Sequence, residues 1–175
     1  MATVQFIRNR DQYEASIRRL LEAVDEEFVP PLTDSARREL SREGTTGGRT
    51  DMDRYVQRCL DRPMVGVTKN GTLKGLLSFE PLSESDALGE STPTNHVVRF
   101  AVDPDFRGRG IGTEMYRVFI NDLPTDYQQP FASTETWETN DAHIAILEEF
   151  GFDLVHRVTD DRGPDLDTVY YARSL

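Results

Sequence analysis

The chain has 175 residues, which is enough for one well-packed domain and short for two, so we expect a single domain over residues 1–175. With 31 acidic residues against 20 basic ones, the formal net charge is -11, a sign that repels phosphate backbones and argues against a nucleic-acid partner. No run approaches the roughly 18 apolar residues of a membrane span, and no apolar signal core opens the chain, so we expect a cytoplasmic protein without a membrane partner.

The first part of the chain reads as a strand followed by helices. Apolar periodicity predicts a strand at residues 4–7 and helices at residues 11–28, 34–42 and 51–61. Pro30 and Pro31 end the first helix because neither can donate a backbone hydrogen bond. Thr33 or Asp34 is expected to cap the second helix, and Thr50 the third, with a flexible loop between them at residues 43–49.

The second part alternates strands with helices. Strands are predicted at residues 64–68, 73–80, 95–102, 131–137, 152–158 and 168–173, and helices at residues 112–123 and 140–150. Asn70-Gly71 supplies the positive φ angles of a tight hairpin, and Gly151 ends the last helix. Because hairpins join some strands and helices join others, the order predicts an α/β domain with a mixed sheet.

Glycines alternate with other residues in the segment RGRGIG, residues 107–112, between a predicted strand and a predicted helix. The first N–H groups of a helix lack intrahelical partners and attract anions, phosphates above all. Glycines let such a backbone come close to a ligand, and Arg107 and Arg109 add positive charge. The segment therefore predicts a pyrophosphate site, although a glycine-rich turn without a ligand is the plain alternative.

Other phosphate loops do not match this segment. The P-loop requires a lysine that is absent here, and the dinucleotide pattern G-x-G-x-x-G, counted from Gly108, would need a glycine where Thr113 stands. A nucleotide-binding domain that uses this loop for ATP is a further alternative, but the chain lacks the lysine and the magnesium-ligand motif that such a site needs. The pattern that fits is R-x-x-G-x-G.

The segment VVRFAVDPDFRGRGIG closely resembles the acyl-CoA-binding motif of the GNAT-type N-acetyltransferase superfamily. NDAHIAILEEFGF resembles that family's N-x-x-A-x-x-x-Y-x-x-x-G-F segment in length and in Asn140 and Gly151-Phe152. The two cover Asn95 to Phe152, about a third of the chain. The resemblance implies a mixed, mostly antiparallel central sheet with splayed fourth and fifth strands, flanked by about four to five helices.

The resemblance also implies acetyl-CoA as acyl donor, with no metal. The pantetheine arm would lie between the splayed strands, bound by the backbone of Phe100, Ala101 and Val102, one N–H of which could polarise the thioester carbonyl. Asn140 would bind the far end of the arm, although it is also a good helix N-cap. The pyrophosphate would be held by Arg107, Gly108, Arg109, Gly110, Ile111, Gly112 and Thr113.

The implied reaction is direct attack of an amine on the thioester, helped by a base and by an acid. The family's tyrosine acid falls on Leu147, which cannot donate a proton, so either another group serves or the thiolate leaves unaided. Glu80, His96 and Glu135 are the candidate bases, and the plain alternative for each is a polar side chain on a solvated face. Trp137 is expected to be core or cleft wall. His143 and His156 show no metal-ligand spacing, and no metal site is expected.

The sequence therefore predicts an acetyl-CoA-dependent N-acetyltransferase that acts on a primary amine of a small molecule or a peptide. Acid-rich loops around the expected cleft favour a cationic acceptor. The alternative is a GNAT-like domain that binds acyl-CoA as a sensor with little turnover. A monomer and a homodimer both remain open.

Lysine and cysteine are both scarce in this chain. Only Lys69 and Lys74 among the basic residues are lysines, and an acidic, lysine-poor surface is typical of proteins that work in high salt. Unfolding on dilution into low salt would support this hypothesis, and full stability there would contradict it. Cys59 is the only cysteine, so neither a disulfide framework nor a cysteine metal cluster is expected.

Overall fold

The computed structural model describes residues 1–31 and 51–175, whose apolar runs form strands and whose amphipathic runs form helices. The strands are β1 Thr3–Ile7, β2 Met64–Lys69, β3 Thr72–Leu82, β4 Thr94–Val102, β5 Phe131–Trp137, β6 Asp153–Gly163 and β7 Leu166–Ser174. The α-helices of the described residues are α1 Glu14–Val24, α2 Asp51–Asp61, α3 Ile111–Asn121 and α4 Asp141–Glu149. The predicted helix at residues 34–42, its cap, the loop after it and the Thr50 cap lie outside the described residues.

All seven strands form one sheet in the order β1-β2-β3-β4-β5-β7-β6. Neighbouring strands are antiparallel except β4 and β5, which run parallel. The prediction of a mixed, mostly antiparallel sheet is therefore confirmed. The hairpin between β2 and β3 turns at Asn70 and Gly71, whose φ angles are 52° and 73° as a tight reversal requires.

Helices cover both faces of this sheet. The apolar stripe of α1 packs with α2 on one face, in a core that includes Ile17, Leu21 and Cys59. On the other face α3 buries Met115 and Phe119, and α4 adds Leu147 to the same core. None of the helices in the described part of the chain combines the length and apolarity needed to cross a membrane.

The largest differences from the predicted bounds lie at the first helix and at the C-terminal hairpin. The helix expected at residues 11–28 is α-helical only over α1, with 3-10 turns at Asp11–Tyr13 and Asp25–Glu27, because the three acidic residues after Val24 offer no apolar side chain to the core. The C-terminal strands are longer than predicted. They continue through register shifts between Val158 and Gly163, so the turn lies after Gly163 and not across the whole of residues 160–165.

The fourth and fifth strands separate part of the way along their length. β4 and β5 pair only from Thr94 opposite Phe131 to Val97 opposite Thr134, although β4 continues to Val102 and β5 to Trp137. The splay that the family resemblance implied is confirmed. Beyond Val97, the backbone of β4 has no strand partner on the β5 side among the described residues, and its Val102 carbonyl accepts a hydrogen bond from Arg107 Nε.

Candidate functional site

A cavity of about 440 Å³ lies beside the splay, at the N-terminus of α3. It is lined by the end of β4, the loop before α3, the first half of α4 and the residues after α1. Ten of the eleven residues predicted to bind the coenzyme line it, namely Phe100, Ala101, Val102, Arg107, Gly108, Gly110, Ile111, Gly112, Thr113 and Asn140. The fold thus brings the loop, the strand and Asn140 together around one space.

The loop conformation depends on its glycines for two physical reasons. Gly108 and Gly110 have φ angles of 70° and 72°, in the left-handed region that side chains other than glycine disfavour. A Cβ on Gly112 would lie 3.0 Å from Ile146 Cδ1 and 3.0 Å from Phe100 Cζ, which is tighter than ordinary contact. Glycine at 112 therefore lets the start of α3 pack closely against Ile146 and Phe100, two side chains that line the cavity.

Three backbone N–H groups at the start of α3 have no hydrogen-bond partner within the helix. Glu114 N–H donates the first intrahelical bond, to the carbonyl of Gly110 at 2.9 Å. The N–H groups of Ile111, Gly112 and Thr113 come before it and have no carbonyl in the helix to bind. Together with the positive end of the helix dipole, they make a place that suits an anion.

The two arginines of the loop have different surroundings. Arg107 lines the cavity, where its Nε donates to the carbonyl of Val102 at 3.1 Å and its guanidinium pairs with the carboxylate of Glu27, Nη1 to Oε1 at 3.1 Å. Arg109 is not among the lining residues of this cavity, and its guanidinium carbon lies 5.3 Å from the centre of the Phe106 ring. Arg109 instead lines a different cavity, with Gly110 and Ile111, so of the two arginines only Arg107 lines the cavity beside the splay.

A second, smaller cavity of about 70 Å³ occupies the splay itself, between β4, β5 and the start of α4. The two cavities share Phe28, Phe100, Trp137, Asn140 and His143, so they are adjacent. Trp137 packs against Phe28 with ring centres 5.8 Å apart, which makes it a wall of both spaces, as the sequence predicted.

Asn140 caps α4 through its backbone and not through its side chain. Its carbonyl accepts from Ile144 N–H at 3.0 Å, whereas its side-chain Nδ2 donates to Thr136 Oγ1 at 2.9 Å. The side chain makes no capping hydrogen bond. The amide is therefore held at the junction of the two cavities by the fifth strand.

The candidate bases lie along one face of the sheet, but only one of them reaches the splay. Glu80 is paired in register with His96 and forms an ion pair with Arg62, Nε to Oε2 at 3.3 Å. His96 Nδ1 lies 2.9 Å from Ser133 Oγ, and burial lowers its pKa although Glu135 and Glu80 oppose that shift. Glu135 alone of the three lines the splay cavity.

Charge around the splay cavity is mixed. Arg99 and Arg162 line it together with Glu135. The Arg99 guanidinium lies over the Tyr55 ring at 4.2 Å, and Arg162 Nη1 donates to the carbonyl of Val29 at 3.1 Å. The surroundings of the predicted acceptor are thus less acidic than the nearby loops alone suggest.

The position of the family's tyrosine acid is closed to both cavities. Leu147 is fully buried in the core between α4 and the sheet. One turn earlier, where the family segment has alanine, His143 lines both cavities and packs against Phe100 with ring centres 4.8 Å apart. The sequence interpretation weighed His143 only as a metal ligand. Its i, i+4 spacing to Leu147 was the signal that both residues share one helix face.

His143 is held on its inner side by a buried phenol. Its Nε2 lies 2.7 Å from Tyr116 Oη, and Tyr116 is fully buried in α3. Burial lowers the pKa of His143 to about 4, so the imidazole is neutral at ordinary pH. A neutral imidazole carries one N–H donor and one acceptor, and the partner of one nitrogen decides the role of the other.

Comparison with known proteins agrees with the fold described above. The model of the acetyltransferase (GNAT) family matches residues 19–152, well over half of the chain. A search of curated proteins finds no significant match.

Solved structures of similar fold cover almost the whole chain at low sequence identity. A GNAT-family protein from Desulfovibrio desulfuricans is 14% identical with a TM-score of 0.68, covering 99% of each chain. The ribosomal-protein-alanine N-acetyltransferase from Brucella melitensis is 16% identical with a TM-score of 0.66, covering 99% of each chain. The structure of yncA from Salmonella typhimurium with its cofactor acetyl-CoA is 17% identical with a TM-score of 0.65, covering 99% of this chain and 94% of that one. At these identities the likeness shows the fold.

Proposed function

Because the chain belongs to the acetyltransferase (GNAT) family, we propose that it transfers the acetyl group of acetyl-CoA to a primary amine by direct attack on the thioester. The observation that carries the proposal is the splay after Val97 and Thr134, which opens beside a cavity whose other end is the glycine loop. A ligand with an anionic end and an extended arm fits such a space. Acetyl-CoA supplies an activated acyl group at the end of such an arm.

The residues of the larger cavity fit the coenzyme's diphosphate and its pantetheine arm. The N–H groups at the start of α3 and the Arg107 guanidinium would bind the diphosphate. The backbone of Phe100, Ala101 and Val102, which pairs with β3 but not with β5, would bond the amides of the arm, with the Val102 carbonyl already accepting from Arg107 Nε. Asn140, fixed by Thr136, would orient the arm where it enters the splay.

Glu135 is the base that we propose, because it alone of the three candidates lines the splay cavity. An amine reacts only after its ammonium form has lost a proton, and a carboxylate in the splay can accept that proton directly or through a water. His96 and Glu80 continue the same polar face next to it. Because arginines and a glutamate share the splay, small amines and peptide amines with an acidic group both suit the acceptor side.

Leu147 is the observation that favours the second candidate, an acyl-CoA sensor with little turnover. The residue is buried and closed to the cavities, so nothing at that position can protonate a leaving thiolate. If no other group takes that part, binding without efficient transfer is the expected behaviour.

Calorimetry with acetyl-CoA, followed by thiol release with a panel of amines in molar salt, tests the proposal. Binding and release with at least one amine support the enzyme. Binding without release for any amine supports the sensor, and absence of binding contradicts both.

Two variants, Arg107→Gln and Arg109→Gln, make a matched pair for this experiment. They remove the same charge from the same loop, but only Arg107 lines the cavity. We expect Arg107→Gln to weaken acetyl-CoA binding several-fold, since a charge-assisted hydrogen bond contributes about 1.5–3 kcal/mol, partly offset by its present pairing with Glu27. Arg109→Gln should bind nearly as the parent protein does.

A further inference from the structure

His143 presents a polar edge to the space in which the thioester would react. It lines both the coenzyme cavity and the splay cavity, and only 6% of it is exposed. Among residues 1–31 and 51–175 its Nδ1 has no hydrogen-bond partner, and it is not among their fully buried unpartnered side-chain atoms. Nδ1 therefore reaches the surface of a cavity, while Nε2 is turned toward the protein interior.

Either group can donate in the contact between Tyr116 Oη and His143 Nε2, and we assign the donor from the relative acidity of the two groups. The phenol and Nε2 are 2.7 Å apart in the interior, and of the two the imidazole nitrogen is the stronger acceptor and the phenol the stronger donor. Donation from Tyr116 Oη–H to Nε2 leaves the single proton of the neutral ring on Nδ1. His143 then offers an N–H to the cavity without carrying a positive charge.

We infer that His143 donates a hydrogen bond from Nδ1 to the sulfur of the coenzyme as the thiolate leaves, and so replaces the tyrosine whose position Leu147 occupies. The inference rests on the proposed function. It makes His143 a catalytic residue and Tyr116 a residue that positions it.

The bond changes balance without a proton from His143. The amine nitrogen forms a bond to the thioester carbon, the C–S bond breaks, and its electron pair stays on sulfur as a thiolate. The surplus proton of the nitrogen passes to Glu135 or to water. Nδ1–H stays on the ring and stabilises the new anion, in the way that preorganised donors stabilise charge that develops during a reaction.

The acidity of the thiol of bound CoA measures this hydrogen bond without turnover. A donor to the thiolate favours the charged form, so we expect the thiol pKa of CoA bound to the parent protein to lie roughly one unit, or tenfold, below that in His143→Phe. The ultraviolet absorbance of the thiolate follows the titration. Equal thiol pKa values in the two complexes would overturn the inference.

Two amide variants separate the two ring nitrogens. His143→Asn keeps an N–H at the position of Nδ1 and should retain most of the lowered thiol pKa. His143→Gln places its amide at the position of Nε2, next to Tyr116, and should lose the effect. The reverse order would overturn the assignment of Nδ1.

The charged side chains of the described residues that line the two cavities affect the thiol pKa equally in the parent protein and in the His143 variants. Those lining the two cavities are Glu27, Arg99, Arg107, Glu135 and Arg162, and all are unchanged in these variants. Their effect on the thiol is therefore common to every member of the set.

A measurement on the unaltered protein covers the case in which the variants fail to fold. The imidazole nitrogen chemical shifts of His143 should report a protonated Nδ1 that responds to CoA and not to desulfo-CoA, which lacks the sulfur. A bare Nδ1, or an equal response to both ligands, overturns the inference while the proposed function stands. If neither CoA nor acetyl-CoA binds the unaltered protein, the proposed function fails and the inference fails with it.

Discussion

Replacing Glu27 by glutamine removes the carboxylate that forms an ion pair with Arg107, the arginine that lines the larger cavity. Glu27 pairs with both terminal nitrogens of Arg107, and both residues line that cavity. A diphosphate at the start of α3 must compete with this carboxylate for the guanidinium and must also approach its negative charge. We therefore expect Glu27→Gln to bind acetyl-CoA more tightly than the parent protein.

The magnitude follows from how exposed the pair is. The Arg107 and Glu27 side chains are 44% and 47% exposed, so solvent screening holds the pair to the 0.2–1 kcal/mol, in rough terms, of a surface ion pair. Removing repulsion from the diphosphate adds an amount of about 1 kcal/mol or less near water's dielectric constant. A total of about 1 kcal/mol corresponds to a roughly fivefold lower dissociation constant.

Calorimetry of acetyl-CoA binding at low and at high salt measures this effect. The difference between variant and parent should shrink as salt rises, because exposed charges are screened. Glu26→Gln is the matched control, since Glu26 is exposed, carries the same charge and does not line the cavity. Equal or weaker binding by Glu27→Gln refutes the reasoning, and would mean that Glu27 orders Arg107 for the ligand.

Four further predictions concern single sites. Gly112→Ala should lower the free energy of unfolding by about 1 kcal/mol in denaturant titrations, because Ile146 and Phe100 must shift to admit the new Cβ and this cost exceeds the roughly 1 kcal/mol that alanine gains over glycine inside a helix; a rise in stability would contradict the tight packing. Leu147→Tyr should destabilise the protein by ~1–3 kcal/mol without raising thiol release, since the site is fully buried; faster release would be contrary evidence. Burial raises the pKa of Cys59 to about 12, so a thiol reagent should label it only after unfolding, and rapid labelling of the folded protein would argue against this. Burial lowers the pKa of His143 to about 4, so as the pH is lowered the unfolded state binds the proton before the folded state does. The free energy of unfolding should therefore fall as the pH drops from about 6.5 to 4, by up to about 1.4 kcal/mol per pH unit. His143→Phe should show a shallower fall, and equal slopes in the two proteins would exclude this origin.

Local signals explain why much of the fold could be predicted from the sequence. The bounds predicted for β5 and α2 are those observed, since each is a short periodic run between clear breaks. The glycine loop was equally readable, because strand, turn and helix follow one another within a few residues. Its left-handed turns need only the local sequence, because glycine at 108 and 110 adopts positive φ angles without a steric cost.

The order of the strands and the different surroundings of the two loop arginines could not be predicted from the sequence, because both depend on contacts between distant segments. β7 lies between β5 and β6, and that order follows from which strand edges meet in space. The same limit applies to the arginines of the loop. Arg107 and Arg109 are equivalent by composition, yet Glu27, which lies 80 residues earlier, holds one of them at the cavity while Phe106 packs under the other.

The acid position shows how two departures from a family pattern can belong to one change. Read singly, leucine at 147 removes a donor, and histidine at 143 adds an unexplained polar group to a helix. In the fold they share one face of α4, with Leu147 filling the core and His143 reaching both cavities. The donor that we infer lies one turn nearer Asn140 than the family's tyrosine. The neutral state of its imidazole follows from burial, and its Nε2 contacts Tyr116 of another helix, neither of which a local pattern at residues 140–152 could reveal.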